Sequence, residues 1–544
     1  MKKIFVFLLV FSISQTVFGK NTSHEFDSLM SEVFKQDGPG AVALVMKDDK
    51  VLYRKAFGMA NLELEVKMKP DHIFRIGSIT KQFTASAILK LRDEGKLSLD
   101  DEITEYIEDY PTDGNKITIK HLLTHTSGIK SYTDMEEWDG EVRKRDFTPL
   151  ELIDYFKNQP MNFNPGEQWK YNNSGYVLLG YIIEVVSGMS YSEYIENNIF
   201  KPLGMSHSLY GSTSKIIKNR ASGYDKREDN YINADFLSMT QPYAAGSLLS
   251  TVDDLYIWYK AVMEDKVISE SSRKEAHTPF KLNDGSETSY GYGWSIGNIQ
   301  GSPMITHGGG INGFLTDSIY LPNEKVFVAV FSNCICNSPN QISMKMAAHS
   351  IGKPFNWTPI DISSEEKQEY VAVYESKNGQ QRVISLKDGQ LYSLRSGGSK
   401  FEIYPYDKDK FFFKDGMSTL HFIRDEEKQI SSVLLSNPME TSEWRRTDKA
   451  IPTIERIDLD SAVSDKYLGQ YELVPGFILT ISKEDDKIFA QATGQSKIEI
   501  IPTEINKFSL VDVDAQLTFN SDENGEVVSL TLHQGGDHEA KKIE

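Results

Sequence analysis

The chain has 544 residues, too many for one hydrophobic core, so about two to four domains are expected. A composition that is 39% hydrophobic and 25% charged belongs to a folded, soluble protein. The formal net charge of −19 repels phosphate backbones and argues against a nucleic-acid partner.

Lys2 and Lys3 precede an apolar run, Ile4 to Ile13, and the small-residue exit Val17-Phe18-Gly19. This pattern predicts a secretory signal peptide over residues 1–19, too short to span a bilayer, with an uncleaved anchor as the alternative. The mature protein is expected to be periplasmic or secreted, with no membrane span. No cysteine follows the apolar run, which disfavours a lipid anchor. A short amphipathic helix is expected over Phe26 to Phe34. A hairpin follows, Ala41 to Met46 and Val51 to Phe57, turning at Lys47-Asp48-Asp49-Lys50.

The stretch Phe74-Arg75-Ile76-Gly77-Ser78-Ile79-Thr80-Lys81 comes next. If Ser78 opens a helix, Ser78 and Lys81 share a face, Gly77 frees the turn, and Phe83, Ala87 and Leu91 form an apolar stripe. A hydroxyl beside backbone N–H groups, with an amine one turn away, is what an activated nucleophile needs. Ser-x-x-Lys also occurs at Ser127, Ser212, Ser271, Ser350 and Ser364, but only Ser78 combines a preceding glycine with a following apolar helix.

His121 and His125 are spaced like the zinc ligands of a metalloprotease helix, yet Leu122 stands where that motif needs its glutamate. A histidine hydrogen-bonded within a tight turn is expected instead, with no metal and no cofactor. Residues 130–147 read as an irregular excursion. The run Asn164-Pro165-Gly166 to Tyr171-Asn172-Asn173 then leads through Gly175 into an apolar helix over Val177 to Val186, so Tyr171 and Asn173 fall on a connection, where chemistry is often displayed.

Ala244-Ala245-Gly246-Ser247 precedes a helix capped at Thr251 or Asp253. Strands are expected over Tyr290 to Ile296, Met304 to His307, Phe314 to Leu321 and Val326 to Asn333. His307-Gly308-Gly309-Gly310 lies between the second and third of these, and its glycines let another backbone lie close. Cys334 and Cys336, the chain's two cysteines, are expected to face one way at a strand end and to act as packing residues, a poor geometry for a bridge. A last helix spans about Gln341 to Ile351. Helices around late antiparallel strands predict an α+β fold.

After Pro354 the helical periodicity gives way to strand-like alternation, and this half is duplicated. Tyr370, Tyr374, Lys400, Pro405, Phe411, Leu420 and Phe422 match Tyr467, Tyr471, Lys497, Pro502, Phe508, Leu517 and Phe519 at a constant shift of 97 residues. Each copy is long enough for about eight short strands, so two small antiparallel β-barrel repeats are expected, over residues 364–449 and 461–544, behind a catalytic domain over 20–353.

Ser78-Ile79-Thr80-Lys81, Tyr171-Asn172-Asn173 and His307-Gly308-Gly309 stand in that order. With Leu122-Leu123-Thr124-His125-Thr126-Ser127-Gly128 they resemble the serine β-lactamase-related family, which groups class C β-lactamases, penicillin-binding proteins, D-aminopeptidases and esterases, over roughly residues 24 to 352. The resemblance implies a β-lactamase/transpeptidase-like antiparallel sheet flanked by helices. It implies Ser78 as nucleophile, Lys81 as the partner that deprotonates it, and Tyr171 as proton shuttle, for which a lowered phenol pKa is expected. It also implies Asn173, His307, Gly309 and Gly310 as substrate-binding residues, with the N–H groups of Ser78 and Gly310 as oxyanion hole. Histidine rather than lysine at 307 is similar to D-aminopeptidases and some D-alanyl-D-alanine carboxypeptidases. The resemblance thus implies a serine hydrolase of small peptide, ester or lactam substrates, D-amino-acid peptides foremost. An esterase or β-lactamase is the alternative within the family, and a non-turnover penicillin-binding sensor the alternative outside the enzymes.

Overall fold

The computed structural model describes residues 22–138, 140–414, 416–485 and 487–543, so the signal peptide expected over 1–19 lies outside the described residues. The chain divides into two compact units, residues 1–354 and 355–544.

The first unit is built on a six-stranded antiparallel sheet. Its strands are β1 (Ala41–Lys47), β2 (Lys50–Phe57), β3 (Ser295–Ile299), β4 (Ser302–Ile311), β5 (Phe314–Leu321) and β6 (Val326–Ser332). The order across the sheet is β3-β4-β5-β6-β1-β2, so the N-terminal hairpin completes a sheet begun by strands some 250 residues later. The sequence explains which strands are central. Ala41–Met46 and Val326–Ser332 are buried along their whole length, as expected of strands covered on both faces, whereas β2 buries only Tyr53 and ends the sheet.

Helix α1 (Thr80–Asp93) runs through the middle of the core. The expected apolar stripe of Phe83, Ala87 and Leu91 understates it, because Thr80 through Leu89 are all buried. Phe83 stacks on Trp258 with ring centres 4.0 Å apart. The buried polar groups are paired, as they must be: Gln82 donates to the Tyr259 hydroxyl (2.8 Å) and accepts from the Trp258 indole (3.1 Å). Around α1 stand α2 (Asn173–Ser187), capped by the Asn172 side chain, and α3 (Val252–Met263), capped by Thr251, while α4 (Asn340–Ser350) packs on β5 and β6.

Three local readings need correction, the first being that the strand expected from Tyr290 to Ile296 begins only at Ser295 and runs to Ile299. The strand over Met304 to His307 does not stop before the glycines; β4 continues through Gly308, Gly309 and Gly310 to Ile311. Cys334 and Cys336 are joined in a disulfide. β6 ends at Ser332, and the chain turns there, with Asn337 N donating to Cys334 O, so the extended geometry that would hold the two thiols apart no longer applies.

On β5, Asp317 pairs with Gly308 and is fully buried, accepting hydrogen bonds from Ser343 and Asn340. Burial pushes its carboxyl up to about 7, and the two hydrogen bonds only partly offset this. Between the ordinary carboxylate value and about 7 the folded state therefore holds a proton that the unfolded chain has lost, and stability falls as pH rises through that window. Asp317→Asn is expected to remove that loss. Denaturant unfolding at pH 5 and pH 8 will then show the variant gaining on wild type at the higher pH by on the order of a few kcal/mol.

The second unit contains two closed eight-stranded barrels, the first from Ala372–Ser376 to Thr441–Arg446 and the second from Gly469–Val474 to Asp537–Lys542. Their cores match position for position. Tyr374 and Tyr471 are both fully buried, and each hydroxyl donates to the carbonyl four residues back, of Tyr370 and Tyr467 respectively. Among the described residues, no helix of the chain is long and apolar enough to cross a membrane.

Candidate active site

Ser78 does not open α1 itself; it sits in the short turn Gly77–Ile79 just before it. Gly77 has φ +51°, a conformation L side chains rarely adopt, and a Cβ there would stand 3.0 Å from the Gly310 nitrogen. The turn therefore lies directly against β4. The glycines of β4 permit this approach: a Cβ at Gly309 would fall 2.0 Å from the Ile76 carbonyl oxygen. Thr316 Oγ1 on β5 donates to that same oxygen at 3.0 Å, and Ile76 N donates to Leu248 O at 3.0 Å. The turn carrying Ser78 is thus pinned on one side by Thr316 of β5 and on the other by the Leu248 backbone.

One helical turn on, the Lys81 side chain is fully buried. Its Nζ lies 3.1 Å from Ser78 Oγ, 2.8 Å from Asn173 Oδ1 and 2.9 Å from the Ala245 carbonyl oxygen. No carboxylate among the described residues contributes to its surroundings, and burial holds the amine well below its ordinary pKa of 10.5. The two carbonyl-type oxygens can only accept, so they take two N–H bonds. The lone pair of a neutral amine is then left facing the serine hydroxyl, the orientation required to receive its proton.

Asn173 is held at the first turn of α2. Its backbone nitrogen donates to Ser131 Oγ (3.1 Å) and its Nδ2 to Thr133 Oγ1 (3.1 Å), which fixes Oδ1 toward Lys81. The irregular excursion supplies both hydroxyls. Tyr171 lays its ring 4.7 Å from Lys81 Nζ, and its buried hydroxyl faces the Ser78 side chain without a well-formed hydrogen bond. The expected lowering of the phenol pKa is overturned. Burial pushes it up, the Ser78 hydroxyl only moderates the rise, and Tyr171 stays protonated.

His307 is held as a neutral imidazole. Its Nδ1 is 2.6 Å from the Gly308 carbonyl, which can only accept, so Nδ1 carries the proton and Nε2 accepts from the Tyr290 hydroxyl at 2.9 Å. Burial, reinforced by Lys81, holds the imidazole down to about 3. A neutral ring with both nitrogens occupied is not a charged clamp for a substrate carboxylate. His125 is the turn histidine expected, at φ +61°, with Nδ1 accepting from Asn172 N at 3.1 Å. The His121 ring instead accepts from its own helix cap, Thr118 N, so the two histidines do not converge.

Ser78, Asn173 and Gly310 line one cavity of about 240 Å³, together with Tyr132, Trp138 and Arg143 from the excursion and Gln241, Pro242, Ala245 and Gly246. Of the residues singled out in the sequence, Ser78, Lys81, Tyr171 and Asn173 are brought together and Gly310 faces the same cavity. His307 and Gly309 support its wall and are not among its described lining residues. The sequence reading missed Tyr290 and Arg143. Tyr290 carried no signal, since its contact with His307 depends on the irregular path before β3. Arg143 was a cation in a polar stretch.

A family model described as Beta-lactamase matches residues 26–350, and a second, Domain of unknown function (DUF3471), matches residues 455–542. A penicillin-binding protein of Bacillus subtilis (strain 168) is 27% identical over 447 residues, 77% of this chain and 98% of that protein. The octameric penicillin-binding protein homologue from Pyrococcus abyssi is similar at a TM-score of 0.55 and 31% identity, covering 77% of this chain and 99% of that one. A D-stereospecific amidohydrolase from a Streptomyces species is similar at a TM-score of 0.53 and 26% identity, covering 60% of this chain and 98% of that one.

Proposed function

We propose that this chain, which belongs to the beta-lactamase family, is a serine hydrolase that forms an acyl-enzyme on Ser78 and cleaves small amide or ester bonds, D-amino-acid peptides and amides foremost. The observation that carries this reading is the buried Lys81 amine, whose two fixed acceptors leave its lone pair for the Ser78 hydroxyl.

Lys81 takes the Ser78 proton as Oγ attacks the substrate carbonyl carbon. The carbonyl π pair moves onto oxygen, where the N–H groups of Ser78 and Gly310 stabilise the charge by about 3 kcal/mol. As the tetrahedral adduct collapses, the bond to the leaving nitrogen or oxygen breaks. The Tyr171 hydroxyl, protonated in its buried setting, donates to that atom and recovers a proton from Lys81. Water then repeats the sequence on the acyl-serine and returns the proton to Ser78. Asn173 keeps the amine aimed throughout. The D-amino-acid preference is supported by the likeness to a D-stereospecific amidohydrolase. The test is a hydrolysis screen over D-amino-acid amides, short acyl esters and nitrocefin, with Ser78→Ala as blank. Turnover of the D-amides above the other classes supports the reading. A penicillin adduct that persists with no product from any class would favour the non-turnover sensor.

Arg143 refines the substrate class. Its Nε is taken by the Trp138 carbonyl at 2.9 Å, it makes no ion pair among the described residues, and it lines the same cavity as Ser78. Substrates with a carboxylate reaching this wall are therefore favoured. Arg143→Ala is expected to raise KM for such substrates about tenfold, equivalent to about 1.4 kcal/mol, and to leave neutral substrates within about twofold; steady-state kinetics on a matched acid and amide pair checks this.

The same reading takes residues 20–353 as the hydrolase domain, with 364–449 and 461–544 as accessory repeats. It places the protein outside the cytoplasm, which the charged and apolar N-terminal pattern and the Cys334–Cys336 disulfide support.

A further inference from the structure

The two barrels descend from one repeat, so each serves as a control for what the other's fold requires. In the second barrel Leu479 sits opposite Ala492 across neighbouring strands, and both the packing and the closure are complete with these apolar residues. The positions 97 residues earlier in the first barrel are Arg382 and Arg395, directly opposite each other in the same register. Each partner of the preceding strand confirms the equivalence: Tyr374 pairs with Arg382, and Tyr471 with Leu479. Two guanidinium groups directly across a ladder repel one another, so the first barrel carries a destabilising pair that its twin shows to be dispensable for folding.

Arg382 is also nearly enclosed, with 6% of its surface exposed. Its Nη1 donates to Ser393 Oγ at 2.7 Å and its guanidinium lies 4.8 Å from the centre of the Trp444 ring, but its buried Nε has no partner among the described residues. A cavity of about 350 Å³ opens here, lined by Arg382, Arg395 and Lys414 on one side of its chemistry and Phe401, Phe413 and Leu435 on the other. No Asp or Glu lines it among the described residues, which do not include Asp415, and among those residues neither Arg395 nor Lys414 makes an ion pair. Phe401 leaves 56% of its surface in solvent. Burial and the neighbouring Arg395 together lower Arg382 to about 10. In the second barrel Lys414 is replaced by Val511, and Ser393 by Ala490, so the whole polar set is confined to one copy.

We propose that this end of the first barrel binds a small ligand carrying an anionic oxygen group, carboxylate or phosphate, on an apolar body. The guanidinium fork suits a planar or tetrahedral oxyanion, and the phenylalanines suit a ring or acyl face of the same molecule.

Calorimetric titration of the full chain at low salt tests it, in an Arg143→Ala background so that the cation of the catalytic cavity does not contribute. The probes are benzoate and phenyl phosphate, with inorganic phosphate and the neutral isostere benzamide alongside. The expected result is one saturable site for benzoate or phenyl phosphate, whichever oxyanion fits better, with inorganic phosphate and benzamide each at least tenfold weaker. The double variant Arg382→Leu/Arg395→Ala, which installs the second barrel's own residues, is expected to lose at least tenfold in affinity and to melt no lower than its parent. If that variant misfolds, the exposed Arg395→Ala alone carries the same comparison. Equal binding by parent and variant, equal binding of benzamide and benzoate, or no saturable binding by either organic anion would overturn the proposal.

Discussion

Exchanging Lys81 for methionine is expected to lower kcat/KM by roughly 10²–10⁴-fold, the range for losing a positioned general base, while the protein stays folded. Methionine fills a similar volume on a helix face already buried on every side, so the exchange leaves little void. What is lost is the lone pair aimed at Ser78 Oγ and the donors to Asn173 Oδ1 and the Ala245 carbonyl. The pH dependence of stability separates this from a general loss of packing. Wild-type Lys81 has a folded pKa well below 10.5. Between that depressed value and the ordinary one, the unfolded chain binds one proton more than the folded chain, so unfolding free energy rises with pH, by at most about 1.4 kcal/mol per unit. In Lys81→Met that rise disappears. Urea titrations across neutral and alkaline pH, with kcat/KM on one substrate, give both readouts; a variant that keeps the wild-type slope contradicts the assignment of a neutral amine. In wild type the acid limb of kcat/KM is then expected to report protonation of the same group and to lie well below the ordinary lysine value.

Gly309→Ala is the second large effect. The added Cβ would fall 2.0 Å from the Ile76 carbonyl oxygen and 2.4 Å from Thr316 Oγ1, and Ile76 is itself bonded through its nitrogen to Leu248. Neither neighbour is the free end of a flexible chain, so the turn carrying Ser78 must move away from β4. Overpacking of this kind costs about 1–3 kcal/mol, and a displacement near 1 Å at the reacting groups costs roughly 10²-fold in rate. Gly310→Ala is the matched comparison, because its Cβ would meet only Leu315 Cδ2 at 3.4 Å. The melting temperature is expected to drop several degrees for Gly309→Ala and much less for Gly310→Ala. Equal melting temperatures would show that the close approach of backbone to backbone is not what the glycines serve.

The parts of the site that could be read in the sequence are those whose chemistry is written in short spacings. Ser78 and Lys81 are one helical turn apart, Tyr171 and Asn173 flank a cap residue, and Gly308 to Gly310 announce a close backbone approach before any coordinates. The constant 97-residue shift likewise exposed the duplicated barrels. What spacing could not convey was burial. A phenol and an imidazole placed correctly in the chain have pKa values set by the walls around them, and those walls reverse the expectation for Tyr171 and neutralise His307. The tyrosine that donates to His307 Nε2 lies 17 residues away across an irregular segment, where no periodicity marks it. Cys334 and Cys336 were misjudged for a related reason: extended geometry was carried past Ser332 to the cysteines, and the turn that lets the sulfurs meet lies past the strand's true end. The cationic mouth of the first barrel became visible only when register paired Arg382 with Arg395.

Whether Ser78 is an acylated nucleophile activated by Lys81 is settled most directly by intact-mass analysis after treatment with a fluorophosphonate. The expected result is a single adduct per chain, mapped by digestion to the peptide containing Ser78, absent in Ser78→Ala and formed far more slowly in Lys81→Met. An adduct of equal yield on folded Ser78→Ala, or none on folded wild type, would contradict it.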